Sequence, residues 1–448
     1  NKNPQIQQFV KKFPIKVGEV FNSTAYEKAK AQLFQIAANQ GYVKAYLEQN
    51  EILIDRKNNR ATILIHFNTG PRYYFGPVIF DAGFYQPAFL QRFVSFRQGE
   101  PFSSEKLIKF QQALEGSYYF QRILITPQFD QTIDNRVPIH LSFQTPKAKK
   151  YNFGLGYGTS TGPRLTAGLS LRHLTNTGQH FDAQLKLSSV SSGIAGKYYI
   201  PGKDPLTEQW VTGLNYQRFI PKNGSSSSGT LSQGYIKKDQ YWQNNITLNY
   251  LLERFKVKDK PVKKSHLLYP DLNFVYSKAD DLIHPLGGKS VNLSLRGSSD
   301  GLLSSTSFIQ GEMKAKYLFS PFDKSHIILR GDLGYTIVKD INLLPLSMRF
   351  FAGGINSIRG FPDSSIGPGR YLMVGSVELQ RHVYNNWSGA LFYDFGNASN
   401  NFDTSLNRGA GIGIIYDSVI GPIKLYVAQA ISKRTKPHSI EFSIGPEF

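Results

Sequence analysis

Ser290-Val291-Asn292-Leu293-Ser294-Leu295-Arg296-Gly297 alternates apolar and polar side chains with a period of two. Successive side chains of an extended strand point to opposite faces, so this octapeptide reads as a strand between two different environments. The same texture begins after Lys150 and runs to the end of the chain. It recurs upstream in YNFGLGYGT, RLTAGLSLRHL, HFDAQLKLSS and NITLNYLLERF. It recurs downstream in SFIQGEMKAKYLF, SHIILRGDLGYTIV, YLMVGSVELQRHV, GALFYDFG, AGIGIIYD, IKLYVAQAIS and SIEFSIGPEF. About 300 residues at roughly 19 per strand and loop accommodate about sixteen strands, and membrane barrels favour even numbers. The segment QGYIKKDQYW leaves the tally at about fifteen or sixteen, depending on whether it forms a strand of its own. A soluble sandwich or propeller is the rival fold, but strands of about ten alternating residues without a blade repeat argue for a closed barrel.

Composition agrees with strands crossing a membrane. Hydrophobic residues make up 40% of the chain and mean hydropathy is −0.31, with no run of roughly eighteen apolar residues, so no transmembrane helix is expected. A β-barrel hides its apolar face from such a test, because every second residue faces the lumen. The 25 Tyr and 32 Phe suit strands and interfacial girdles, and the 40 Gly suit turns and bends. Cysteine is absent, which removes disulfides and thiolate metal sites. There is no His pair at metal spacing, no phosphate loop and no G-x-S-x-G, so neither enzyme activity nor a cofactor or metal is expected. The net charge of +20 is spread over both halves. Without a long basic tract it points to anionic lipid head groups rather than nucleic acid. No signal peptide opens the chain, which is expected to begin downstream of any processing site.

Residues 1–147 read differently. Gly18-Glu19-Val20-Phe21-Asn22-Ser23 recurs as Gly99-Glu100-Pro101-Phe102-Ser103-Ser104, and each copy leads into a helical stretch. In the first, Thr24 and Glu27 have capping-box spacing, Leu33, Ile36 and Ala37 share a face, and Gly41 ends the helix. In the second, Ser103 caps, and Leu107, Ile108, Phe110 and Leu114 form the face before Gly116. Two strand-like runs follow each helix: ILID and ATILIHF, then ILITPQF and VPIHLSF. A short helix precedes each copy, at PQIQQFVKKF and QPAFLQRFV, and Tyr73 to Phe80 adds a leading strand to the second copy only. The pattern is β-α-α-β-β, complete in 71–147 and lacking its first strand in 1–70. Two unrelated α+β modules are the alternative.

The barrel region holds one long irregular segment, PLSMRFFAGGINSIRGFPDSSIGPGR, with Arg359 in its middle. Loops of this length are functional or disordered, and the surrounding aromatic and apolar residues speak against disorder. Folded into a barrel, the guanidinium is desolvated and needs a carboxylate. Glu378 in SVELQ and Asp394 in FYDFG sit on following strands where an alternating pattern turns polar residues inward. A forked donor between two acids is a strong, geometrically defined contact. Gly353, Gly354 and Gly360 let the loop turn tightly. An ordinary extracellular loop arginine is the plain alternative.

These features together resemble the bacterial outer-membrane assembly factors built from periplasmic POTRA domains and a β-barrel. FFAGGINSIRGF is similar to the loop-six signature of that superfamily, and FYDFG to its F-x-D-x-G strand motif. The β-α-α-β-β units match POTRA topology. The closing SIGPEF resembles the TamA type more than the BamA type. The resemblance implies α+β POTRA domains at 1–70 and 71–147, followed by an all-β transmembrane barrel of about sixteen antiparallel strands at 148–448. It implies a lock in which Arg359, with Gly360 and Phe361, packs inside the barrel against Asp394 and Glu378. It implies an outer-membrane protein with its POTRA domains in the periplasm, inserting barrel proteins or autotransporters, with a TamB-like inner-membrane-anchored partner.

A barrel must also pair its first strand with its last, here about Tyr151–Thr159 and Ser439–Phe448. Tyr151, Gly154 and Gly156 line one side of that seam, and Gly445, Pro446 and Phe448 the other. Glycine packs poorly in a strand and Pro446 cannot donate a ladder hydrogen bond, so the seam is expected to be weak. An unzipped edge can accept an incoming strand by β-augmentation, which is how client strands are expected to enter the bilayer. A BamA-like general assembly factor, a two-partner secretion transporter and a passive porin are the other classes. A porin needs neither the repeat nor the buried arginine.

Overall fold

A computed structural model describes residues 3–158, 162–281, 285–401, 405–418 and 421–444. Two compact units emerge, one formed essentially by residues 1–147 and the other by the residues from 148 onward.

In the first unit, helices α1 (Pro4–Lys11) and α2 (Ser23–Asn39) are followed by an antiparallel hairpin of β1 (Tyr46–Asp55) and β2 (Arg60–Asn68). A second module follows: β3 (Tyr74–Phe80), the short α3 (Pro87–Leu90), α4 (Ser104–Glu115), β4 (Arg122–Pro127) and β5 (Arg136–Gln144). Its sheet order is β3-β5-β4, with β3 parallel and β4 antiparallel to β5. Both repeat glycines hold positive φ, +91° at Gly18 and +84° at Gly99. The caps fall at the same repeat position: Asn22 accepts from the Ala25 amide at 3.0 Å, and Ser103 from the Lys106 amide at 3.3 Å. The capping box at Thr24 and Glu27 is therefore a correction. The helix begins one residue before Thr24, and an Asn side chain supplies the acceptor that the first turn lacks. Ile108 is a second correction: it stands 56% exposed, while Phe110 and Leu114 are buried. The core of this module is aromatic, with Phe75 stacked on Phe96 and edge-on contacts among Phe89, Phe93 and Tyr119.

The second unit is one sheet. Among the described residues sixteen strands form it, all antiparallel to their neighbours and all in chain order. They are β6 (Lys149–Gly158), β7 (Gly162–Leu171), β8 (His180–Leu187), β9 (Ser191–Pro201), β10 (Glu208–Phe219), β11 (Gly224–Lys238), β12 (Trp242–Val257), β13 (Lys263–Ala279), β14 (Gly288–Ser298), β15 (Phe308–Phe322), β16 (Ser325–Val338) and, after the long loop, β19 (Tyr371–Tyr384), β20 (Trp387–Ser399), β21 (Asn407–Ser418), β22 (Gly421–Gln429) and β23 (His438–Ile444). The loop contributes its own pair, β17 (Phe350–Ala352) and β18 (Ile366–Gly369). QGYIKKDQYW is no separate strand; it is the end of β11, a turn and the first residue of β12.

Alternation sorts the side chains. On β20, Leu391 and Tyr393 point outward and are exposed, while Phe392 and Asp394 point inward and are buried. On β12, Ile246, Leu248 and Leu252 face out while Leu251, Glu253 and Phe255 face in. An apolar outside and a partly polar inside is the reverse of a water-soluble sheet and suits a barrel in lipid. All three tryptophans, Trp210, Trp242 and Trp387, are about half exposed at the starts of strands that begin at the same end as β6, where an interfacial aromatic belt belongs. No described helix is long and apolar enough to cross a membrane.

The ends of the sheet are β6 and β23. Their Cα atoms come within 8 Å of one another, yet among the described residues no ladder joins them.

Candidate functional site

The loop from 339 to 370 leaves β16 at the end of the barrel opposite the start of β6 and returns inside it. Glycine makes the turn possible: Gly353, Gly354 and Gly360 hold φ of +106°, +90° and +89°. The Gly354 amide donates to the Phe361 carbonyl at 2.8 Å, closing a tight loop around Ser357, Ile358 and Arg359. Ile358 and Phe361 are buried, and Lys433 Nζ lies 4.7 Å above the Phe361 ring.

Arg359 is 1% exposed, the largest fully buried side chain of the chain's described part. Its Nε donates to Asp394 Oδ2 at 2.8 Å and its Nη2 to Asp394 Oδ1 at 2.8 Å, a two-pronged fork. Its backbone amide donates to the same carboxylate at 3.0 Å. Nη1 pairs with Glu378 Oε2, and Nη2 also reaches Ser376 Oγ at 3.2 Å. The guanidinium carbon Cζ lies 3.6 Å from the Phe392 ring centre and 4.8 Å from that of Tyr426, and the two rings meet edge to face. Burial alone would lower the arginine's proton affinity. The hydrogen bond and charge of Asp394, with the charge of Glu378, outweigh it and hold Arg359 above its ordinary value.

The two acids are held in turn. Ser376 donates to Asp394 Oδ1 at 2.6 Å, while Tyr426 and Gln380 each donate to Glu378 Oε1 at 2.7 Å. Arg330 on β16 bridges to Ser376 Oγ at 3.1 Å and to the Ile355 carbonyl at 3.3 Å. Glu441 on β23 accepts from the Gly360 amide at 2.8 Å. The other half of the loop is fastened to the far wall. Ser347 bonds Glu253 on β12, Gln310 on β15 donates to the Met348 carbonyl at 2.8 Å, and Asn223 donates to the Gly367 carbonyl at 2.7 Å. The loop therefore crosses the lumen and is anchored on both sides.

Space for it comes from β21. Gly409, Gly411 and Gly413 occur at every second residue, in the register opposite to the outward Ile412 and Ile414. A Cβ on Gly409 would stand 1.9 Å from the Arg359 carbonyl oxygen, one on Gly411 would stand 2.7 Å from the Phe392 ring, and one on Gly413 would stand 2.3 Å from the Tyr426 ring.

The structure thus brings together Arg359, Gly360, Phe361, Glu378 and Asp394. Sequence reasoning misses Ser376, Tyr426, Glu441 and the glycine row. The signals were present: Ser376 shares the inward register of Glu378, and the glycines of RGAGIG alternate. Of the seam residues, Tyr151 faces outward and is 60% exposed, and Gly154 and Gly156 take the opposite register on β6. Gly445, Pro446 and Phe448 lie outside the described residues. Among the described residues no cluster suits a metal ion.

Comparison with known proteins follows the same lines. A family model described as the Omp85 superfamily domain matches residues 79–448. By structure the chain is similar to BamA from Haemophilus ducreyi lacking POTRA domains 1–3, with a TM-score of 0.83 and 18% identity over 98% of this chain and 96% of that one. It is similar, less closely, to CdiB from Acinetobacter baumannii, with a TM-score of 0.58 and 13% identity over 98% and 85% of the two chains. For CdiB from Escherichia coli the TM-score is 0.56, with 12% identity over 99% and 87%. Identities this low speak of fold alone. The chloroplastic outer envelope protein 80 of Arabidopsis thaliana is 33% identical over 91 residues, 18% of this chain, and the chain spans 12% of that protein's length. The family model covers the whole barrel, so the chain, with its lumenal loop and arginine, belongs to the Omp85 superfamily of outer-membrane β-barrels.

Proposed function

We propose that this protein inserts client β-barrel proteins or autotransporters into the outer membrane through the seam between β6 and β23, as a TamA-type assembly factor. The observation that carries this is the seam. Fifteen neighbouring strand pairs are laddered, whereas the described parts of β6 and β23 lie side by side without a ladder. Unpaired backbone groups at bilayer depth cost several kcal/mol each, which an incoming strand can relieve by pairing. On this reading residues 1–147 are periplasmic POTRA domains. The helix-covered β3-β5-β4 sheet is the complete one, and the α1, α2 and β1–β2 module lacks its first strand. They would receive a TamB-like inner-membrane-anchored partner. The closing SIGPEF favours the TamA type over a general BamA-like factor. The higher TM-score with BamA than with CdiB favours insertion over secretion of a polypeptide through the lumen.

The test is a disulfide across the seam, between a cysteine at Gly156 or a neighbour and one on β23, in a chain that has no cysteine of its own. Client insertion into vesicles should stop when the bond is formed and return on reduction. Undiminished insertion with the seam fully crosslinked would rule out lateral gating.

A further inference from the structure

Most anchors of the Arg359 loop sit on strands paired along both edges. β19 lies between β16 and β20, and β20 between β19 and β21. Glu441 does not share that security. Its strand, β23, is laddered to β22 along one edge and stands at the end of the sheet on the other. Glu441 is nevertheless 3% exposed and faces the lumen. Its Oε1 accepts from the Gly360 amide at 2.8 Å and from Ser439 Oγ at 3.1 Å, and among the described residues its Oε2 has no partner. Tyr426, opposite Glu441 in the ladder, donates to the Glu378 that pairs with Arg359.

Glu441 therefore links the fixed part of the lock to one of the two strands that the seam leaves free. The bond is charge-assisted and sheltered from water, and a buried carboxylate stripped of its donor is costly. Outward movement of β23 carries Oε1 away from an amide that Asp394 and Glu378 keep in place.

We propose that Glu441 is a latch: a positioning residue that couples the place of the last strand to the seating of the Arg359 loop. Coupling of this kind is reciprocal, so loosening the loop frees the strand and freeing the strand loosens the loop. The proposal rests on the reading that this seam is what opens, and it names what controls the opening.

The experiment is hydrogen–deuterium exchange on the purified full chain in lipid nanodiscs, with no client present. The peptides to follow cover 355–361 and 438–444. Glu441→Ala should speed exchange at the Gly360 amide about tenfold or more, the loss of one charge-assisted bond, and should speed exchange in β23. Glu441→Gln keeps a carbonyl acceptor and should stay near wild type. Arg359→Ala should speed exchange in β23 although it does not touch that strand, and this arm does not depend on how well a Glu441 variant folds. Unchanged β23 exchange in Arg359→Ala, or unchanged Gly360 exchange in Glu441→Ala, overturns the latch. The seam disulfide separates the two ideas. Coupled exchange together with undiminished insertion through a crosslinked seam leaves the latch standing without the gate, and uncoupled exchange with blocked insertion does the reverse.

Discussion

Arg359 presents a buried charge that the fold has compensated from every side. Two carboxylates, a serine hydroxyl and two aromatic faces surround it, so the cost of desolvation is met by a fixed shell. Removing one partner of such a pair leaves the other uncompensated, a loss of roughly 3–5 kcal/mol. Arg359→Ala should destabilise the seating of the loop by that amount, seen as a lower thermal midpoint of its transition and exposure to protease, leaving the barrel's heat-resistant migration intact. Arg359→Lys should rescue little, because one ammonium cannot span Asp394 and Glu378 as the fork does. In the wild type a membrane-impermeant arginine reagent should leave Arg359 unmodified. Gly409 makes a sharper steric case. Its Cβ would stand 1.9 Å from the Arg359 carbonyl oxygen, whereas a Cβ on Gly389 of the neighbouring strand meets nothing within 4 Å. Gly409→Ala should therefore destabilise the loop by about 1–3 kcal/mol or more, and Gly389→Ala should have little effect, both by thermal denaturation. Arg359, Glu378 and Asp394 were legible because a lone guanidinium among apolar residues demands acids, and two inward-facing acids followed it. Tyr426 and Glu441 were not, since nothing in IKLYVAQ or SIEFS says which strand lies opposite which.

Elements were legible where one chemical pattern had one cause. In residues 1–147 the repeated G-E-x-F-x-S marks a glycine at positive φ and then a capping side chain, at Asn22 and at Ser103. Asn22→Ala and Ser103→Ala should each cost about 1 kcal/mol, seen as a lower urea midpoint for the first unit, and Thr24→Ala should cost far less. The capping box misled because spacing alone cannot tell a cap from the residue two places after it. In the barrel twelve strands declared themselves by alternation, whereas β9, β10, β11 and β13 did not. β11 opens with Gly224-Ser225-Ser226-Ser227-Ser228-Gly229, whose small side chains carry no apolar rhythm. β13 carries Pro270, which normally argues against an interior strand. Here Pro270 stands just beyond Asp271, where the pairing with β14 ends, so its missing donor interrupts no further pair with that strand.

At the scale of the whole molecule the change of period near residue 148 separates two units that obey different rules, one built on a dry aromatic core and one on a wall with an apolar outside. Residues 150–448 refolded alone should give a far-ultraviolet circular dichroism spectrum dominated by β-structure; a substantial helical contribution would contradict the fold. What the protein binds is written in no strand pattern, because contacts with other chains leave no periodic trace. The position of the loop in the chain has a temporal meaning as well. Some of its holdfasts, at residues 223, 253 and 310, precede it, but those that grip Arg359 and Gly360 lie at 376, 378, 394 and 441, all after it. The shell around Arg359 and Gly360 is therefore complete only when β19, β20 and β23 are all in place. Burial of Arg359 is in that sense a record that the barrel's own biogenesis has run to completion.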